Sequence, residues 1–147
     1  MIIPAQLNHL DDIVSIEKSA FNKPWTKNQF MNDIQSGLDS ENWVYVIDEL
    51  VAGYIFGWII QGEFHLNNIA VHLEYLRRSI GKNLIQHIIA RVILRNVKVV
   101  LLEVSAGNIP ARQCYQSLGF NQMGMRKDYY SKGDDAILYN LELNTDG

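Results

Sequence analysis

Apolar residues recur at helical spacing in one long stretch of the chain. The positions follow an i, i+4, i+5, i+8 pattern over four turns, at Ile80, Leu84, Ile85, Ile88, Ile89, Val92 and Ile93. This pattern predicts a helix with one buried face. Residues 98–104, which follow it, are almost continuously apolar. Such a run is typical of a central strand that is covered on both faces of its sheet.

Upstream of this helix, the pattern predicts a short strand and two further helices. Ile2 and Ile3 begin the strand, and apolar residues at helical spacing indicate a first helix over residues 10–21. Thr26 and Gln29 have the form of a capping box, so we expect a second short helix to begin there and to end near Gly37.

Three strands are predicted between the second and third helices. They cover residues 43–47, 51–60 and 63–71, with turns at residues 48–49 and 61–62. Gly53 and Gly57 in the second strand indicate close packing or a bulge. Strict alternation in the third strand predicts one face with Phe64, Leu66, Asn68 and Ala70 and another with His65, Asn67, Ile69 and Val71.

The C-terminal part predicts a fourth helix and a hairpin. Asn108 is placed to cap the helix, and Pro110 falls in its first turn, where a missing N–H group costs little. Residues 120–129 and 136–143 read as the two strands of the hairpin. The complete order is β-α-α-β-β-β-α-β-α-β-β. Its one helical crossover should join two parallel strands.

Composition limits the classes of protein that the chain can represent. With 147 residues, 48% of them apolar, residues 1–147 most simply form one domain with a real core. The net charge of −3 argues against a nucleic-acid partner, and the apolar runs are too short for a membrane helix. The single cysteine, Cys114, and the lack of a signal-like N-terminus predict a cytoplasmic protein. We expect a monomer or weak dimer.

Two segments carry candidate chemistry without a metal. The four histidines lack metal-ligand spacing, so no metal site is predicted. Residues 76–82 combine a helix N-terminus with the cations Arg77, Arg78 and Lys82, an arrangement that binds phosphate groups. The alternative is a solvated basic loop without a ligand.

Glu103 and Tyr115 are the candidates for proton transfer. The apolar neighbours of Glu103 should desolvate it and raise its pKa toward that of a useful general base. A carboxylate at the solvent end of a strand, or paired with a basic side chain, is the alternative. For Tyr115 the alternative is a core tyrosine. Trp25, Tyr129 and Tyr130 could be hairpin packing or the wall of a substrate groove.

Several motifs together resemble a known superfamily. NNIAV (residues 67–71) running into RRSIGK, and LEV followed by GN, Tyr115 and SLGF, look like the GCN5-related N-acetyltransferase (GNAT) superfamily. AFNKPW (residues 20–25) and DYY with DDAI (residues 128–137) are similar to its RimI-type ribosomal-protein alanine N-acetyltransferases. The resemblance implies an α/β fold with a mixed, mostly antiparallel seven-stranded sheet. Helices would cover both faces, and the sheet would splay between strands 4 and 5.

The resemblance also implies an activity and a role for each matching residue. The chain would move an acetyl group from acetyl-CoA to the N-terminal α-amine of a ribosomal protein, with Glu103 as base and Tyr115 as acid. The cofactor-binding residues would be Ile69, Ala70 and Val71 for the pantetheine arm and thioester carbonyl, Arg77, Arg78, Ser79, Ile80, Gly81 and Lys82 for the pyrophosphate, and Asn108.

The chain departs from the superfamily pattern in the phosphate loop. Leu76 and Ser79 stand where that pattern has a Gln or Arg and a Gly. If the loop requires a positive φ at Ser79, we expect strain of about 1 kcal/mol there. Two alternatives stay open at this point: acetylation of a small amine or a lysine side chain, and a degenerate, non-catalytic binding module.

Overall fold

The computed structural model of the chain describes residues 1–37 and 39–143, and it confirms the element order predicted from the sequence. In chain order the elements are β1 (Ile2–Pro4), α1 (Leu10–Ala20), α2 (Lys27–Gln35), β2 (Ser40–Ile47), β3 (Leu50–Ile60), β4 (Glu63–Val71), α3 (Ile80–Ile93), β5 (Val99–Ser105), α4 (Ile109–Ser117), β6 (Asn121–Ser131) and β7 (Asp134–Glu142). Short 3₁₀ helices at Leu7–His9 and Leu73–Tyr75 precede α1 and α3.

The strands form one seven-stranded sheet in the order β1-β2-β3-β4-β5-β7-β6. Neighbouring strands are antiparallel except for β4 and β5, which are parallel. These two strands flank the α3 crossover, so the expected parallel pair and the mostly antiparallel sheet are both confirmed. The one parallel pair therefore lies in the centre of an otherwise antiparallel sheet.

Helices cover both faces of the sheet, as expected. A buried apolar cluster lies between the helices and the sheet on each face. On one face, α1 and α2 pack on Val44, Val51, Tyr54, Phe56 and Ala70 of β2, β3 and β4. On the other face, the apolar stripe of α3 packs on Ala52, Ile55, Phe64, Val100 and Leu102. Successive residues Tyr54, Ile55 and Phe56 of β3 thus enter the two clusters in turn.

Local capping signals account for where the helices start. The Thr26 hydroxyl accepts from the Gln29 N–H at 3.2 Å, and the Gln29 side chain accepts from the Thr26 N–H at 2.7 Å, which completes the predicted capping box. The Asn108 side chain accepts from the Ala111 N–H at 3.3 Å, with Pro110 in the first turn of α4. Short-range hydrogen bonds of this kind can be read from a few adjacent residues.

The predicted alternation along β4 is wrong beyond its middle. The β3 partners pass from Phe56–Asn68 to Gly57–Leu66, so Asn67 is an extra, bulged residue. The bulge reverses which face later residues occupy. Leu66 therefore packs with the α3 cluster, whereas Ala70 packs with the α1–α2 cluster.

Candidate active site

A gap opens in the centre of the sheet where β4 and β5 diverge. Their pairing is limited to Glu63–Val99, Phe64–Val100 and His65–Leu101. Beyond His65, β4 continues alongside β3 to Val71 but leaves β5. One backbone edge of the predicted cofactor residues Ile69, Ala70 and Val71 therefore borders the gap.

The loop of residues 76–82, called here the basic loop, leads from the end of β4 into α3. The first intrahelical bond of α3 is from the Asn83 N–H to the Ser79 carbonyl at 2.9 Å. The N–H groups of Ile80, Gly81 and Lys82 come before it and are thus available to a ligand. A Cβ on Gly81 would lie 3.7 Å from Cγ2 of Val71, so the helix start lies beside the gap-bordering end of β4.

The basic loop contains two non-glycine residues in the left-handed conformation. Ser79, the N-cap of α3, has φ of 62° and ψ of 21°, and Arg77 has φ of 66°. The condition for strain at Ser79 is therefore met, at a cost of roughly 1–2 kcal/mol for an L residue. The Arg78 guanidinium lies 5.3 Å from the centroid of the Tyr75 ring, so a cation–π contact links the loop to the 3₁₀ helix before it.

Glu103 is partly exposed and lies beside a basic side chain. Its neighbours Leu102 and Val104 point into the α3 cluster, so Glu103 faces the opposite side of β5, the side of α1 and α2. Its side chain is 29% exposed, and Oε1 lies 3.6 Å from Nη2 of Arg126. The alternative, pairing with a basic side chain, is the arrangement observed.

Tyr115 is a buried residue on the other side of β5. It is 5% exposed, and its ring centroid lies 5.7 Å from that of Phe120 and 6.1 Å from that of Tyr139. Burial is the main cause that raises the pKa of the Tyr115 phenol, followed by Cys114 and Tyr130. Glu103 and Tyr115 thus lie on opposite faces of β5, which borders the gap. Asn108 lies at the start of the same helix, α4.

Tyr130 interacts electrostatically with both Glu103 and Tyr115. The sequence had left open whether this residue serves hairpin packing or a substrate groove. The register between β6 and β7 breaks between Arg126 and Ser131, which places Tyr130 in a distorted part of β6. Burial first, then the Glu103 carboxylate, raises the pKa of Tyr130 to about 12, and Tyr130 in turn raises the pKa of Tyr115. The Lys23 ammonium donates to the Tyr130 carbonyl at 3.3 Å.

A small cavity of about 40 Å³ lies between α1 and the end of β4, next to Val71 and His72. It is on the face where Glu103 lies. Across residues 1–37 and 39–143, no three His, Cys, Asp or Glu side chains come together in a group suited to a metal ion. No helix in the described part of the chain is long and apolar enough to cross a bilayer.

Known proteins resemble this chain in both sequence and fold. The profile of the "Acetyltransferase (GNAT) family" matches residues 10–120. The Salmonella typhimurium [ribosomal protein bS18]-alanine N-acetyltransferase is 33% identical over 132 residues, 88% of each chain. The crystal structure of the Escherichia coli ribosomal-protein-S18-alanine N-acetyltransferase has a TM-score of 0.89 at 29% identity, covering 98% of this chain and 94% of that one. Ard1 from Thermoplasma volcanium shares the fold, with a TM-score of 0.90 at 21% identity over 98% of this chain and 97% of its own. The chain belongs to the GNAT family of acetyltransferases.

Proposed function

We propose that this protein transfers the acetyl group of acetyl-CoA to the N-terminal α-amine of a protein, in particular the N-terminal alanine of ribosomal protein bS18. The observation that carries the proposal is the gap between β4 and β5, with the basic loop at the α3 face and Glu103 at the α1–α2 face. A donor and an acceptor can meet there from opposite sides of the sheet. Relatives named for bS18 acetylation supply the acceptor class.

The basic loop fits the pyrophosphate of acetyl-CoA. Free N–H groups at the start of α3, the positive end of the helix dipole and three cationic side chains favour a bound anion. Because Gly81 adjoins Val71, a pyrophosphate at the loop lies close to the open edge of β4. The pantetheine arm would extend along that edge and hydrogen-bond to backbone groups of Ile69, Ala70 and Val71.

The proposed reaction is direct transfer. The neutral amine attacks the thioester carbonyl carbon, a C–N bond forms, and the C–S bond breaks. Glu103 takes the proton lost by the amine and releases it to solvent. Backbone N–H groups near Val71 stabilise the oxyanion that forms during the attack. Tyr115, whose raised pKa keeps its phenol protonated, donates a hydrogen bond to the departing sulfur, and the thiolate then takes a proton from solvent.

The choice of an α-amine over a lysine side chain has an energetic basis. An α-amine with a pKa near 8 costs about 1.4 kcal/mol to deprotonate at pH 7, whereas a lysine with a pKa near 10.4 costs about 4.6 kcal/mol. A single carboxylate, Glu103, is the only base in the proposed reaction, so the smaller cost of the α-amine favours it as the acceptor.

Transfer to a synthetic bS18 N-terminal peptide tests this function. The purified protein, acetyl-CoA and the peptide should release CoA, and fragment-ion mass spectrometry should place the acetyl group on the α-nitrogen. The matched control is the same peptide with its α-amine blocked and a lysine retained, which should not react. Preferential turnover of the lysine or of polyamines would reassign the acceptor. Acetyl-CoA binding without turnover of any amine would contradict the proposal.

A further inference from the structure

Glu17 of α1 is a fully buried carboxylate that the proposed reaction does not use. It is 1% exposed. Its Oε1 accepts from the Tyr54 hydroxyl at 2.5 Å, and its Oε2 accepts from the Trp25 backbone N–H at 2.9 Å. The Asn68 amide nitrogen donates to both oxygens, at 2.9 and 3.0 Å. These three partners of the carboxylate are neutral hydrogen-bond donors.

A buried carboxylate is costly unless all of its lone pairs are used. Position 17 requires a carboxylate because donors approach both side-chain oxygens, and an amide would have only one oxygen to accept these hydrogen bonds. Burial and Glu17 both raise the pKa of Tyr54 well above its usual value, so its hydroxyl remains a donor. Both oxygens of Glu17 therefore accept two hydrogen bonds each, and every partner is a donor.

Two of the three donors, Asn68 and Trp25, come from parts of the chain that border the proposed acceptor path. Asn68 lies in the half of β4 that has left β5, one residue after the bulge at Asn67. Trp25 belongs to residues 21–26, called here the connecting segment, which joins α1 to α2. The same segment reaches the hairpin on the other side of the gap, where Lys23 bonds to the Tyr130 carbonyl.

We propose that Glu17 is a positioning residue for acceptor binding. Its carboxylate holds the connecting segment against the gap-bordering half of β4, and the segment thereby fixes the N-terminal residue of the acceptor at the Glu103 side of the gap. The inference rests on the proposed function and assigns no contact between Glu17 and the reacting atoms. Glu17 acts through Trp25 and Asn68.

Glu17→Gln tests this role, because an amide has one acceptor oxygen and cannot satisfy all three donors. We expect KM for the bS18 peptide to rise about tenfold, which corresponds to one lost hydrogen bond to a charged group. The dissociation constant for acetyl-CoA, measured by calorimetry, should stay within about twofold because the basic loop is unaffected. Hydrogen exchange should become faster within the connecting segment.

Two further variants separate positioning from stability. Glu41 is another buried carboxylate, 6% exposed and bound by Arg91 and Arg95 on the α3 face. Glu41→Gln should lower the unfolding temperature and leave the peptide KM unchanged. Tyr54→Phe removes the one donor that belongs to neither the connecting segment nor β4, so it should lower the unfolding temperature without raising the peptide KM.

The outcomes distinguish the two proposals. If the wild-type protein acetylates the peptide but Glu17→Gln changes only stability, as Glu41→Gln does, the positioning role is overturned. An equal loss of acetyl-CoA affinity would also overturn it. If the wild-type protein transfers no acetyl group, the proposed function fails, and the inference fails with it.

Discussion

Arg126 extends its guanidinium to within 3.6 Å of the Glu103 carboxylate, measured from Nη2 to Oε1. The same guanidinium lies 5.3 Å from the centroid of the Tyr129 ring, so an aromatic contact also supports it. Arg126 is half exposed and lies on β6, the edge strand of the sheet. The proposed base is therefore paired with a cation at the place where a positively charged acceptor would arrive.

Removing that cation should strengthen peptide binding. With Arg126→Met we expect KM for the peptide to fall about fivefold at low salt, because one charge that repels the α-ammonium group is lost. The effect should shrink as salt is added. The unfolding free energy should change by less than about 1 kcal/mol, as is usual for an exposed pair. Lys127→Met, the neighbouring substitution on β6, is the control and should have a smaller effect. A higher KM in Arg126→Met would contradict this prediction.

Glu103→Gln should slow acetyl transfer at neutral pH. A general base contributes about 10²- to 10⁴-fold, so we expect kcat/KM at pH 7 to fall by at least about 100-fold. Part of the loss should disappear near pH 9.5, where most of the α-amine is already neutral. Glu63→Gln, at the paired end of β4, provides the matched control. Equal rates for Glu103→Gln and the wild type at pH 7 would remove Glu103 from the mechanism.

Tyr115→Phe should reduce turnover more than binding. The phenol is a protonated donor for the leaving sulfur, so its loss should lower kcat by about 10- to 100-fold. KM for the peptide should change little, since Tyr115 lies on the opposite face of β5 from Glu103. Steady-state kinetics with the peptide and acetyl-CoA varied separately would show the split. A kcat equal to that of the wild type would mean that Tyr115 serves only the core.

The same substitution should change stability in alkaline solution. Burial raises the pKa of Tyr115 in the folded chain, whereas an unfolded tyrosine loses its proton near pH 10. Above about pH 10 the unfolded state therefore binds fewer protons, and the unfolding free energy falls as pH rises, by up to ~1.4 kcal/mol per pH unit for one group. Tyr115→Phe should make this fall shallower. Urea unfolding at pH 8, 10 and 11 would measure it, and identical slopes would contradict the prediction.

Ser79→Gly should stabilise the folded chain. Glycine adopts the left-handed conformation seen at Ser79 without the cost to an L residue, although it loses more backbone entropy on folding. We expect a net gain of about 0.5–1 kcal/mol in urea unfolding without ligand. Arg77→Gly, at the other left-handed position, should show a similar gain but weaker acetyl-CoA binding, because it also removes a cation. Lower stability of Ser79→Gly would show that the serine side chain holds the loop.

Short-range patterns were sufficient to predict most elements of the fold. The Thr26–Gln29 capping box, the Asn108 cap and the apolar stripe of α3 each depend on residues within a few positions of one another. Their physical causes, hydrogen bonds at helix ends and side-chain periodicity, are local. The crossover rule then implied the parallel pair, and the family resemblance supplied the splay between β4 and β5.

The tertiary structure decided the environment of the site residues, because those contacts join distant parts of the chain. The bulge at Asn67 exchanges the faces of β4, Arg126 from the edge strand pairs with Glu103, and Glu17 bonds with Asn68, 51 positions away. Which partner a carboxylate finds depends on how strands and helices pack, and a charged residue looks the same in sequence whether it is solvated, paired or buried. The sequence alone thus determined the elements and the residue types, whereas packing determined which side chains meet.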